Sequence, residues 1–203
     1  MKNAFKITTK TITGTSLLTA IELILIVISN YVSIGPVNIN LALVPIAVAG
    51  MVFGPLSGLF VGLVNGVVTV FSPSTQAIFM SIAPFGTVLI CLLKTGLAGF
   101  LSGLIYIPFK KEGNSNTVKM VGSVLASIAV PIINTGIFTI GCYTFFQGWL
   151  SDLTYANGYD NSFLTLIMVI LGINFIFEFT ISLLLSPSIN MLVNYYHKKV
   201  ENK

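Results

Sequence analysis

The stretch LALVPIAVAGMVFGPLSGLFVGLVNGVVTVF, residues 41–71, contains no charged residue and one strong interruption, Gly54-Pro55. Proline fixes φ and lacks an N–H, so the pair divides the stretch into two apolar runs, 41–53 and 56–71. Each is shorter than the roughly 20 residues that cross a bilayer. Gly54 at the interruption and Gly58, Gly62 and Gly66 in the second run recur at every fourth position. That spacing lays a bare ridge along one helix face, where another backbone can approach closely. The ridge either packs inside this chain's own bundle or docks a separate membrane subunit.

Working outward, longer apolar runs flank this pair: residues 13–32 before it, and 78–107, 120–146 and 163–185 after it, the last closed by Ser186-Pro187. Residues 188–200 mix apolar residues with lysines and read as an interfacial helix. The spans number six if the short pair crosses, or four plus a re-entrant hairpin if it does not. Composition agrees with a membrane protein. Of 203 residues, 55% are hydrophobic and only 8% charged, with a mean hydropathy of +0.94. A soluble domain averages about 25% charged residues, so a water-soluble enzyme is excluded. The expected architecture is an all-α integral membrane bundle of six helices in a single domain.

The charge distribution sets the orientation. All ten basic residues are lysine. Lys2, Lys6 and Lys10 precede the first span, and Lys110, Lys111 and Lys119 separate the fourth from the fifth. Lys198, Lys199 and Lys203 follow the sixth. The positive-inside rule places that face, and with it both termini, in the cytoplasm. The net charge of +4 is therefore a topology signal, with no role for nucleic acid. The apolar run after Lys10 is too long for the h-region of a cleavable signal.

Glu22, Lys94 and Glu178 are the charges within the spans. At the helical rise they lie about 12 Å from the inner end, 18 Å from the outer end and 22 Å from the outer end of their respective spans, a common depth. A lone charge there costs about 2.5–3.5 kcal/mol, which favours mutual pairing as a buried cluster. Polar residues line the outer half. Thr135, Thr139, Tyr143 and Gln147 recur every fourth residue in the fifth span, with Asn134 and Pro131 below them. Thr87, Cys91 and Lys94 share a face of the fourth, and Asn174 stands four before Glu178. Asn30, Asn38 and Asn40 surround the Gly35-Pro36 loop, and Trp149 and Tyr155 lie in the last outer loop. Uncharged donors and acceptors around a cavity suit a small polar solute. The candidate contacts are Asn30, Asn38, Asn40, Thr87, Lys94, Thr139, Tyr143, Gln147 and Asn174. No Walker loop or H-E-x-x-H is present, and Cys91 and Cys142 fall inside apolar runs. No metal, cofactor or catalytic residue is expected.

The ordered features resemble a known family, over residues from about Thr11 to about Asn194. The telling parts are Ile34-Gly35-Pro36-Val37-Asn38-Ile39-Asn40, then Val44-Pro45-Ile46, Gly50 and Phe53-Gly54-Pro55 with Gly58, Gly62 and Gly66. Lys94-Thr95-Gly96-Leu97-Ala98-Gly99, Gly103-Leu104-Ile105-Tyr106, and Asn174 with Glu178 add to them. The chain is similar to the substrate-binding S components of energy-coupling factor (ECF) vitamin transporters. The resemblance implies a six-helix fold, high-affinity capture of a vitamin-like solute on the outer side, and toppling of the chain in the bilayer to deliver it. It also implies two kinds of partner, a membrane T component and two cytoplasmic ATPases. Docking to the T component is implied for small residues of the first span, here Ser16 and Ala20, with Ser in place of the first Ala. The pattern of residues 34–45 looks broadly like the branch that includes pantothenate carriers. The alternative is a self-sufficient proton-coupled carrier using Glu22, Lys94 and Glu178.

Overall fold

In a computed structural model, residues 8–29, 31, 33–34, 37–38, 40–111 and 113–201 are described. Helix α1 spans Thr9–Ser29. A two-rung antiparallel hairpin follows, β1 Ser33–Ile34 against β2 Val37–Asn38, paired Ser33 to Asn38 and Ile34 to Val37. Helices α2 Leu43–Phe53 and α3 Pro55–Val70 come next. A π-helical turn, Thr75–Met80, leads to α4 Pro84–Tyr106. Helix α5 spans Asn116–Phe145, α6 Gln147–Ala156 and α7 Ser162–Thr165. A second π segment, Leu166–Leu171, runs into α8 Gly172–Glu201.

Among the described residues, four stretches are long and apolar enough to cross a membrane: Thr9–Ser29, Pro84–Phe109, Asn116–Phe145 and Asn174–Tyr196. The helices α2 and α3 are apolar but shorter, at 11 and 16 residues. Helix α2 sits at the centre, packed against α1, α3, α4, α5 and α8. Nearly every one of its residues is buried, as an apolar helix without a polar face requires. Leu43, Ile46 and Met51 join Val61, Ala98, Ala126, Val130 and Val193 in the main core.

Between α2 and α3, Gly54 adopts φ 103°, which only glycine adopts without strain. Its N–H bonds to the Gly50 carbonyl at 3.1 Å, and Pro55 starts α3 where no N–H is needed. The chain thereby reverses without a loop. Helices α3 and α4 then pack backbone to backbone. A Cβ on Gly58 would strike the Gly99 carbonyl, one on Gly62 the Thr95 carbonyl, and one on Gly66 the Cys91 carbonyl. Across this contact Thr95 Oγ1 donates to the Gly62 carbonyl at 2.6 Å. Gly50 of α2 meets the Gly99 carbonyl from the other side.

Three boundaries differ from the sequence reading. The last helix does not stop at Ser186-Pro187; it continues to Glu201, so residues 188–200 are no separate element. Pro187 cannot donate to the Leu183 carbonyl, but Ser186 Oγ does so instead, at 2.7 Å. The segment after Phe146, read as an outer loop, forms α6, tied to α7 by Thr165 Oγ1–Thr154 Oγ1 at 2.9 Å. Helix α4, from the fourth apolar run, starts at Pro84 rather than near residue 78, because Ala83, the residue before the proline, leaves the helical conformation at φ −144° and ψ 82°.

Candidate functional site

The hairpin end of the bundle is organised around Asn40. Its backbone N–H donates to Glu178 Oε1 of α8 at 2.9 Å. Its side-chain amide pairs with Asn65 of α3, Nδ2 donating to Asn65 Oδ1 at 3.1 Å and Asn65 Nδ2 returning at 3.5 Å. Asn40 Oδ1 also accepts from the Ala42 N–H at 3.2 Å, and the Leu41 N–H donates to Ser29 Oγ of α1 at 3.0 Å. Thr69, one turn beyond Asn65, donates to Asn65 Oδ1 at 3.3 Å. The first N–H groups of a helix have no partner within it. In α2 they bond to the carbonyls of Asn40 and Leu41, while the N–H groups of residues 40–42 just before it go to side chains of Glu178, Ser29 and Asn40, so that this segment joins α1 and α8, and through Asn65 also α3.

Two buried carboxyls flank this amide pair. Glu22 of α1 is fully enclosed, with the Asn65 amide as its near polar neighbour and no hydrogen bond to either oxygen within 3.5 Å. Glu178 lies level with the start of α2, with Asn134 of α5 beside it. Lys94 of α4 lies within electrostatic range of Glu178. Its Nζ stands 5.2 Å from the Phe138 ring centroid. Among the described residues no ion pair within 4.0 Å joins any two of Glu22, Lys94 and Glu178. The expected buried cluster is thus not one of direct contacts: an amide pair separates the acids, and an aromatic face meets the lysine.

Phe138 opens an aromatic wall. Phe79, from the first π turn, packs edge-on against Phe138 at 5.6 Å and Trp149 at 5.1 Å, and against Phe146 at 4.9 Å. Thr87 holds that turn against α4: its Oγ1 donates to the carbonyls of Phe79 at 2.8 Å and Ala83 at 2.9 Å. Ile90, Cys142, Leu150 and Leu166 fill in behind the rings.

The structure brings Asn40, Lys94, Asn174 and Glu178 to this end of the bundle as buried or half-buried groups. Thr139 is half-buried and bonds to its own helix, through the Thr135 carbonyl. Tyr143 and Gln147 are exposed, with Gln147 Nε2 on the Tyr143 carbonyl. The inward face of α5 is the neighbouring stripe, Asn134, Phe138 and Cys142. Asn30 lies outside the described residues, and Asn38 is described only as backbone of β2. Ser16 and Ala20 are exposed on α1 among Ile12, Leu17, Ile24 and Val27. Among the described residues no cluster of ligating side chains could hold a metal ion.

Asn65, Ser29, Phe79 and Phe138 were not singled out from sequence. Asn65 carried a readable signal, an amide alone in an apolar helix that must find a partner. The phenylalanines carried none, because 15 phenylalanines are spread over the chain. With Asn40, Lys94 and Glu178 these residues set a polar layer and a cation beside a packed aromatic cluster, a combination of groups that suits a small solute with polar and apolar parts.

A search of curated proteins finds no match. A family model described as the ECF transporter, substrate-specific component, matches residues 10–190. That match covers the bundle from the start of α1 into the last turns of α8, and on it the chain belongs to the substrate-specific components of ECF transporters, a multi-pass membrane subunit that serves transport.

Proposed function

We propose that the chain captures a water-soluble vitamin or related micronutrient bearing a carboxylate, with pantothenate the first candidate. It then delivers the solute across the cytoplasmic membrane together with a T component and two ATPases. The carrying observation is Lys94, a cation set against the Phe138 ring at the polar floor, with no ion pair among the described residues. An ammonium over an aromatic face keeps its charge available to an anionic ligand. The amides of Asn40 and Asn134 would meet hydroxyl or amide groups of the same solute, and the wall from Phe138 to Trp149 its apolar part. The family resemblance favours six crossings, and the lysine distribution favours both termini in the cytoplasm, so that this floor faces outward.

The test is mass spectrometry of small molecules released from the purified, denatured chain, followed by binding of the recovered compound. A carboxylated micronutrient whose affinity falls about tenfold or more in Lys94→Met is the expected result, since a charge-assisted contact contributes about 1.5–3 kcal/mol. A solute without an anionic group, or unchanged affinity in Lys94→Met, refutes the assignment. Proton-driven uptake by this chain alone in vesicles would replace it with the self-sufficient carrier.

A further inference from the structure

Helix α8 carries a polar residue at every fourth position along its length: Asn174, Glu178, Ser182, Ser186, Asn190 and Asn194. This spacing keeps them on one face, and all but Asn194 are buried. The facing stripe of α5 holds Ser123, Ser127 and Asn134, also buried. Ser123 Oγ pairs with Asn190 Oδ1 at 3.2 Å, and Asn194 Nδ2 donates to Asn116 Oδ1 at 2.9 Å. From α4 come Ser102 and, one turn on, Tyr106, whose side chain lies beside Ser123.

Hydroxyls in membrane helices commonly bond back to a carbonyl of their own helix, as Thr95 does to Cys91 and Thr139 to Thr135. Three hydroxyls in this seam do not. Ser102 Oγ, Tyr106 OH and Ser127 Oγ make no hydrogen bond within 3.5 Å, the Ser123 hydroxyl being the near neighbour of Tyr106, and all three residues are almost completely enclosed. The Ser127 carbonyl adds a fourth group, since Pro131 removes the N–H that would reach it. A stripe of small residues serving packing alone needs no such groups. A buried water satisfies about three otherwise unpartnered polar atoms, and these atoms lie on adjacent turns of facing helices.

We infer that the lysine-end half of the α4–α5–α8 interface binds ordered water at Ser102, Tyr106 and Ser127, forming a hydrated seam that follows the α8 stripe toward Glu178. The two faces of the bundle then differ in kind. The α3–α4 contact is dry and closed by glycine, whereas α5 and α8 meet across wettable surface that water can continue to coat when the helices part. The underside of the polar floor is thereby reachable from the lysine-bearing end.

Pulsed hydroxyl-radical footprinting of the purified full chain tests this, because radicals formed from bound water oxidise the side chains beside it. Tyr106, at 1% exposure, is expected to oxidise at a rate comparable with that of Tyr195, at 63%, and several-fold faster than Phe146, also at 1%. In Ser127→Val the Tyr106 rate should fall several-fold while the Tyr195 rate holds. A Tyr106 rate no higher than that of Phe146 overturns the inference, and so does a Tyr106 rate that Ser127→Val leaves unchanged. Should that variant fail to fold, the wild-type comparison decides alone.

Discussion

Glu178 does two separable jobs as a residue: it accepts a buried backbone N–H, and it carries a charge. Glu178→Gln keeps an oxygen for the Asn40 N–H, whereas Glu178→Ala strands that donor. An unsatisfied buried donor costs about 1–3 kcal/mol, so Glu178→Ala should lower unfolding stability in detergent by about that amount and Glu178→Gln by much less. Equal losses in thermal melts would show that the charge, and not the hydrogen bond, holds the segment entering α2. Sequence reading reached Glu178, Lys94, Asn40 and Asn174 because charges and amides are conspicuous in an apolar chain. It could not reach their pairings. Asn40 and Glu178 are 138 positions apart, and nothing local records which acid the amide pair adjoins. The threonine stripe of α5 was equally conspicuous, yet a shift of one residue around the helix, about 100°, turns Phe138 rather than Thr139 toward Lys94.

Between elements, the decisive contact is that of α3 with α4. Its glycine spacing is plain in the sequence, but the partner surface is set by chain reversals that spacing does not encode. Adding a methyl at Gly62 forces the backbones apart against the Thr95 carbonyl. Removing the hydroxyl in Thr95→Val deletes only one interhelical hydrogen bond, worth on average about 0.6 kcal/mol in a membrane bundle. Gly62→Ala should therefore destabilise the protein more than Thr95→Val, measured by chemical unfolding in mixed micelles. The reverse order would mean that the helices can separate locally at little cost. Pro187 shows the opposite limit of local reading. A proline usually ends a helix, but here a neighbouring serine supplies the missing donor and α8 continues.

At the scale of the molecule, class and family were legible, because both rest on composition and on ordered motifs rather than on contacts. A chain with 8% charged residues must be solvated by lipid, and nine of its ten lysines fall before the first apolar run, between the fourth and fifth, or after the sixth. Helix α1 is the least enclosed of the long helices, with Ser16 and Ala20 exposed along it. If that face seats the T component, Ala20→Leu should cut co-purification of the assembled transporter while leaving solute affinity unchanged. Wild-type recovery of the complex would place the interface elsewhere.

The glycine contacts among α2, α3 and α4 have a mechanical consequence. Where backbones touch, no side chain remains whose rotamers could absorb a displacement, so these three helices behave as one stiff slab. Asn40, Asn65 and Lys94 stand on or beside that slab. Glu22, Asn134, Phe138 and Glu178 stand on α1, α5 and α8, which meet it mainly through side chains. The floor proposed for the solute therefore straddles the joint between a stiff part and a compliant one. A molecule seated there acts as a strut across the joint, and its arrival or departure registers as a change in the gap between them.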